Sequence, residues 1–465
     1  MVVYEKPEHA MSILTPDLVS RYSVEGPRYT SYPTALRLEP ITDPVVWREV
    51  LLSANQIRKP VSVYVHIPFC KSLCWYCGCH KIITKDPADA DHYLDLLEAE
   101  LDLVAPLLHE RNQLKQIHLG GGTPNFLRVD QLYRLTGKLR QRFRWSDAPE
   151  FSVEIDPRLF TREQAQGLAD IGVNRVSIGV QDLDTRVQVG IHRLQPSWMI
   201  AQSFEFLREV GIHAINVDLV YGLPHQSVES MASTMDRMTE LRPSRFAVFH
   251  YAHLPSRFPS QRLIQTEALP GPETKTLILM DIIRRLDAAG YVHIGMDHFA
   301  LPDDALAIAA RDGTLHRNFQ GYTTQSGLDL YGFGVSSISH VDGNLIQNGK
   351  DIDPYEAAVR QGRLPWAKAY AATTEDRLRR DVIMGIMCQG HVDWEQLSRT
   401  HQIDAERHLV KERLRLIPLM ADGLVDVHDH SLDVTGLGRF FLRNIAMVFD
   451  AHLEPSRESR FSRTW

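Results

Sequence analysis

Between residues 60 and 300, short β-branched apolar runs alternate with longer amphipathic stretches of helical period. The runs fall at 61–69 (VSVYVHIPF), 116–122, 150–155, 174–181, 213–222 and 245–252, with a further one at 291–300. This alternation predicts repeated βα units on a parallel sheet. Gly172, Gly211 and Gly290 each stand just before a run, where glycine can close the preceding helix in a left-handed conformation. Thr161 followed by Gln164 predicts a capping box at the start of one helix. About six successive units favour a full or partial parallel barrel over a doubly wound sheet, so the expected fold is an α/β partial barrel.

The flanks lack this rhythm. Residues 1–45, rich in Pro, Tyr, Arg and Ser, predict an N-terminal arm, and 46–365 the barrel. Residues 366–465 turn to charged helices and a short alternating GLVDVHDHSLDVTG segment. They predict a mainly helical, winged-helix-like C-terminal domain.

The chain has 465 residues, 44% hydrophobic and 23% charged, ordinary proportions for a soluble protein with a sizeable core. A net charge of −7 provides no global basic field, so nucleic acid is not an expected partner, and anionic ligands would need local counter-charges. Glu5, Lys6 and Glu8 interrupt the N-terminus, which argues against an export signal, and no apolar run is long enough for a membrane span. Four of the five cysteines lie within 70–79, unlike a disulfide framework. The expectation is a reduced, cytoplasmic protein. Nothing reads as a coiled coil, so a monomer is expected.

On such a barrel, chemistry gathers at the C-terminal ends of the strands. Cys70 follows the first run, Gly120–Gly122 end the second, Glu154 the third and Gln181 the fourth, and Asp218 lies late in the fifth. Cys70, Cys74 and Cys77 are spaced to wrap one metal centre. Three thiolates on a four-iron cluster leave one iron open to another ligand. Zinc would ordinarily recruit a second, separate knuckle, and none is visible. The glycine run lets the backbone approach a ligand, although a simple turn would use the same residues.

The chain resembles the oxygen-independent coproporphyrinogen III oxidases, members of the radical S-adenosylmethionine (SAM) superfamily. The resemblance rests on GPRYTSYPTA (26–35), YVHIPFCKSLCWYCGCHKI (64–82), GGGTP (120–124), VEIDPR (153–158), GVQD (179–182), VDLVYGLP (217–224), YAHLP (251–255), GMDHFA (295–300) and HRNFQGYTTQ (316–325). It implies anaerobic oxidative decarboxylation of two propionates of coproporphyrinogen III to vinyl groups, giving protoporphyrinogen IX for haem biosynthesis. It implies a [4Fe-4S] cluster on Cys70, Cys74 and Cys77, and a 5′-deoxyadenosyl radical made from SAM. A separate electron donor and an electron acceptor are implied too, neither identified by the sequence.

The resemblance further implies two SAM molecules. Tyr64, Gly121, Glu154 and Ile338 match positions contacting the first; Tyr76, Gly122, Thr123, Gln181, Arg193, Asp218 and Ala252 match the second. Tyr76 stands where the family often has Phe. Any one of these carboxylates could instead cap a helix. Cys79 matches the family's fourth cysteine, with a catalytic role open, while Cys388 reads as a small buried hydrophobe. Arg28, with Tyr29 and Tyr32, is a candidate for the site's mouth. Arg317 and Gln320 are candidates for binding the substrate's carboxylates. A related haem chaperone that keeps the cluster motif without oxidase activity is the alternative. Such relatives usually lack the fourth cysteine, the arm and the HRNFQGYTT segment, all present here.

Overall fold

The computed structural model describes residues 14–56, 59–109, 112–453 and 461–464. The charged start of the chain, read above against an export signal, lies outside the described residues.

Six parallel strands form the centre of a thirteen-stranded sheet: β1 (Val61–Ile67), β2 (Gln113–Gly121), β3 (Arg144–Ile155), β4 (Arg175–Gln181), β5 (Ala214–Tyr221) and β6 (Arg245–His250). They lie side by side in chain order. A seventh parallel strand, Asp329–Phe333, pairs with β1 on its other side. The sheet then continues antiparallel through Ile338–Val341, Asn344–Asn348 and Trp366–Tyr370. Among the described residues, no pairing joins its two ends, so the barrel is partial. The last of these strands lies just past residue 365, still paired with the barrel sheet.

Every second residue of the parallel strands faces outward and is apolar. Ile117, Leu119, Phe151, Val153, Val176, Ile178, Val217 and Leu219 are all within 1% of complete burial, beneath the covering helices. The alternate residues face inward and are polar: Gln116 and His118, Glu150, Ser152 and Glu154, Ser177, Asn216 and Asp218. A parallel strand covered on both faces by apolar packing would read as a continuous hydrophobic run. Here the two-residue period leaves a polar inner face around a cavity.

Two local expectations need correction. The run 291–300 is two antiparallel strands, Val292–Gly295 and His298–Ala300. Met296, at φ +49°, turns the chain between them. At Thr161 only half the capping box forms. Its hydroxyl accepts from the Gln164 amide at 3.1 Å, but the Gln164 side chain donates instead to the carbonyls of Asn125 and Leu127.

From Thr374 onward, helices surround a three-stranded antiparallel sheet formed by His391–Asp393, Ser431–Val434 and Val425–Val427. This C-terminal unit shares an apolar core with the arm: Leu14, Leu18, Val19, Tyr29 and Tyr32 pack among Val382, Ile386, Phe441 and Ile445. Arg443 reinforces the clasp by donating to the carbonyls of Pro27 and Arg463. Cys388 is buried in the same core, and burial pushes its thiol up to about 12, as expected of an inert hydrophobe.

Candidate active site

The cysteine loop leaves the end of β1 and is closed at its base by a short parallel pairing of Phe69–Cys70 with Ile82–Ile83. Inside it, the Cys77 amide donates to the Cys74 carbonyl at 3.3 Å. Two outside contacts fix its path. The Trp75 amide donates to the Ile191 carbonyl at 3.0 Å, and the Gln261 amide group donates to the Tyr76 carbonyl at 2.9 Å. The glycine run passes directly behind. A side chain on Gly122 would collide with the Pro68 carbonyl oxygen, and one on Gly121, at φ +118°, would meet the His66 ring at 2.6 Å. Only glycine allows this approach.

Cys70, Cys74, Cys77 and Cys79 line one cavity of about 420 Å³ with the inner faces of the strands. Cys70 Sγ lies 3.4 Å from Thr123 Oγ1. Cys77 Sγ accepts from the Cys79 amide at 3.4 Å. Cys74 and Cys77 are near enough to Cys70 to act on its thiol, and cysteine thiolates are the ordinary ligands of an iron–sulfur cluster.

Behind Cys74 is an ion-paired network. Arg158 grips Asp156 with two parallel bonds, at 2.9 and 2.6 Å, and Arg193 Nη1 reaches Asp156 Oδ2 at 3.1 Å. Both guanidiniums also approach Cys74 Sγ at 3.6 Å. Burial pushes the Asp156 carboxyl up, but Arg193 and Arg158 more than offset this and hold it at about 2. Arg193 also donates to the Gly179 carbonyl and Gln195 Oε1, at 2.6 and 3.1 Å.

The other matched residues form a second chain of contacts. Glu154 accepts from the Gly121 amide and pairs with His118, both at 3.2 Å. Burial raises its carboxyl, yet hydrogen bonding and charge from His118, with the Gly121 amide, leave it below its usual value. His118 is fixed by Ser152 at 2.6 Å and stacks on Tyr64, at 5.9 Å between centroids. Asp218 accepts from Ser177 and Asn216, each at 2.8 Å, and burial raises its carboxyl to about 6. A bulge at the end of β4 turns Gln181, at φ +68°, into the cavity.

The structure thus gathers most predicted residues on one wall: the four cysteines, Tyr76, Gly121, Gly122, Thr123, Glu154, Gln181, Arg193, Asp218 and Gln320 all line the cavity. Tyr64 stands behind His118. Ala252 is tied to the wall through Gln261, which also holds Tyr76. Ile338 lies on the antiparallel extension, beside Gly332, which pairs with Tyr64.

Arg28 and Arg317 do not reach the cavity. Arg28 is ion-paired to Asp297 and stands over Phe249, while Arg317, 4% exposed, stacks on Tyr322 at 4.7 Å. Each is one aromatic ring removed from the lining. Tyr29 and Tyr32, expected near the mouth, are buried against the C-terminal unit. The sequence reading missed Asp156, Arg158 and His118, although the alternating polar positions of 116–118 and 150–156 carried the signal.

The Radical SAM superfamily matches residues 64–238 and the HemN C-terminal domain residues 372–441. The oxygen-independent coproporphyrinogen III oxidases of Salmonella typhimurium and Escherichia coli K12 are each 43% identical over 448 residues, covering 96% of this chain and 97% of theirs. This chain belongs to the oxygen-independent coproporphyrinogen III oxidases. The solved E. coli coproporphyrinogen III oxidase, HemN, described as a radical SAM enzyme, superposes with a TM-score of 0.88, covering 92% of this chain and 98% of that one. As a radical SAM oxidase, this chain is an oxidoreductase, and its family implies SAM and a [4Fe-4S] cluster. No helix among the described residues is long and apolar enough to cross a membrane.

Proposed function

We propose that the chain oxidatively decarboxylates two propionates of coproporphyrinogen III to vinyl groups, with Cys70, Cys74 and Cys77 holding the cluster. The observation that carries this reading is the single cavity with three thiols at one end and polar strand residues throughout. When bound, the cluster and SAM supply the radical that removes hydrogen from the unactivated propionate β-carbon, chemistry no side-chain base can perform.

The chain's own residues position and shield. Arg158 and Arg193 direct donors at Cys74 Sγ. Glu154, held by Gly121 and His118, presents an acceptor for SAM hydroxyl or amino groups. Asp218 presents a second acceptor deeper in the cavity, consistent with a second SAM. Arg193, tied to Asp156, Gly179 and Gln195, sets the wall that SAM meets. Cys79, hydrogen-bonded to Cys77, lines the cavity on the path of the substrate.

The test is an anaerobic assay with reconstituted cluster, SAM, a low-potential reductant and coproporphyrinogen III. Protoporphyrinogen IX and 5′-deoxyadenosine are expected. Haem capture without either product, with the cluster intact, would favour the chaperone reading instead.

A further inference from the structure

The far end of the cavity differs from the cysteine end. Its lining includes Arg175, the first residue of β4, and Arg245, the first residue of β6, together with His298. Several of their polar atoms are sealed from solvent and make no hydrogen bond: Arg175 Nε and Nη1, Arg245 Nη2 and His298 Nδ1. Buried donors are normally satisfied, and leaving one unmet costs about 1–3 kcal/mol, more when it is charged. The acids nearby do not meet this need. Glu150 and Asp304 stand 3.6 and 3.8 Å from Arg175, beyond bonding distance, and Asp304 takes only one bond from Arg245, at 2.8 Å. Arg28 and Arg317 lie just behind the aromatic wall and add positive potential around His298.

We infer that this floor is a carboxylate subsite, in which the forks of Arg175 and Arg245 hold a propionate of the macrocycle that is not reacting, and so set how the reacting propionate faces the cysteine end. Two guanidiniums with free donors in a water-poor site match a planar carboxylate bidentately. The inference rests on the proposed substrate and adds the residues that orient it.

The experiment compares wild type with Arg175→Gln and Arg175→Lys holoenzymes, measuring KM, kcat and anaerobic binding of coproporphyrinogen III and its tetramethyl ester. Loss of charge-assisted bonds predicts a roughly 10- to 100-fold rise in KM for Arg175→Gln, with kcat within a few-fold. Arg175→Lys should recover part of the loss. The variant's deficit should vanish for the ester, which lacks the carboxylates. Equal weakening of acid and ester binding, or an unchanged KM, would overturn the inference. If Arg175→Gln does not fold, the Lys variant decides on the same acid-to-ester ratio. A wild-type enzyme that gives no protoporphyrinogen would instead sink the proposed function, so the two failures are distinct.

Discussion

The cysteine end and the floor of the cavity are built on the same strands, yet they hold their charges differently. At the cysteine end each charged group has protein partners: Asp156 with Arg158 and Arg193, Glu154 with His118 and Gly121, Asp218 with Ser177 and Asn216. At the floor, Arg175, Arg245 and His298 keep polar atoms without a hydrogen bond, and Arg175 has Glu150 and Asp304 only at ion-pair distance. The first arrangement is a finished frame that fixes groups before a ligand arrives, as preorganised sites require. The second leaves the ligand to complete the hydrogen bonding. On the proposed reading, one fold separates the machinery of radical chemistry from the part that selects what is acted on.

The strongest way to break the comparison is at the thiols. Cys74→Ser should lose the cluster's visible absorption and reduce turnover to the blank, while the protein stays folded by circular dichroism. Full-strength absorption in that variant would refute the ligand assignment. Next is the frame behind them. Arg193→Ala leaves Asp156 buried beside Arg158 alone, and removing one partner of a buried pair should cost about 3 kcal/mol. A lowered Tm is expected, together with weaker SAM binding and reduced cluster content, because Arg193 also faces Cys74. A variant that loses SAM affinity yet keeps Tm and cluster would show Arg193 to be a simple SAM clamp.

The floor comes third: the 10- to 100-fold KM effect of Arg175→Gln should leave SAM affinity and cluster content untouched. The smallest effect concerns Asp218. With its carboxyl raised by burial to about 6, the ionised acceptor forms as pH climbs from 5 to 7, so SAM affinity should rise several-fold over that range. Asp218→Asn should flatten the profile. The folded state holds this proton where the unfolded state has lost it, so the group costs stability progressively from pH 3.8 to about 6, and the variant should remove that slope as well.

What could be read from the sequence was local. The three cysteines sit within eight residues of one another, and the strand-end residues follow a two-residue period, so spacing alone brought them together. Long-range pairings were not readable in this way. Asp156 meets Arg193 only because β3 and β4 lie side by side. Asp329–Phe333 joins β1 from far along the chain, and the antiparallel strands that follow extend the sheet without a helical rhythm to announce them. Arg28 and Arg317 show the limit most clearly. Their segments were right, but a basic residue in a matching motif does not reveal that Phe249 or Tyr322 stands between it and the cavity. Arg175 and Arg245 were overlooked because each opens a strand, where a charged residue usually faces water.

The central claim is that one cavity brings the thiol-bearing end and the propionate chain together. Coproporphyrinogen III carrying deuterium at the propionate β-carbons tests it most directly. The account predicts that vinyl product forms with deuterium recovered in 5′-deoxyadenosine, and that Cys74→Ser yields neither. Vinyl product accompanied by unlabelled 5′-deoxyadenosine would contradict it.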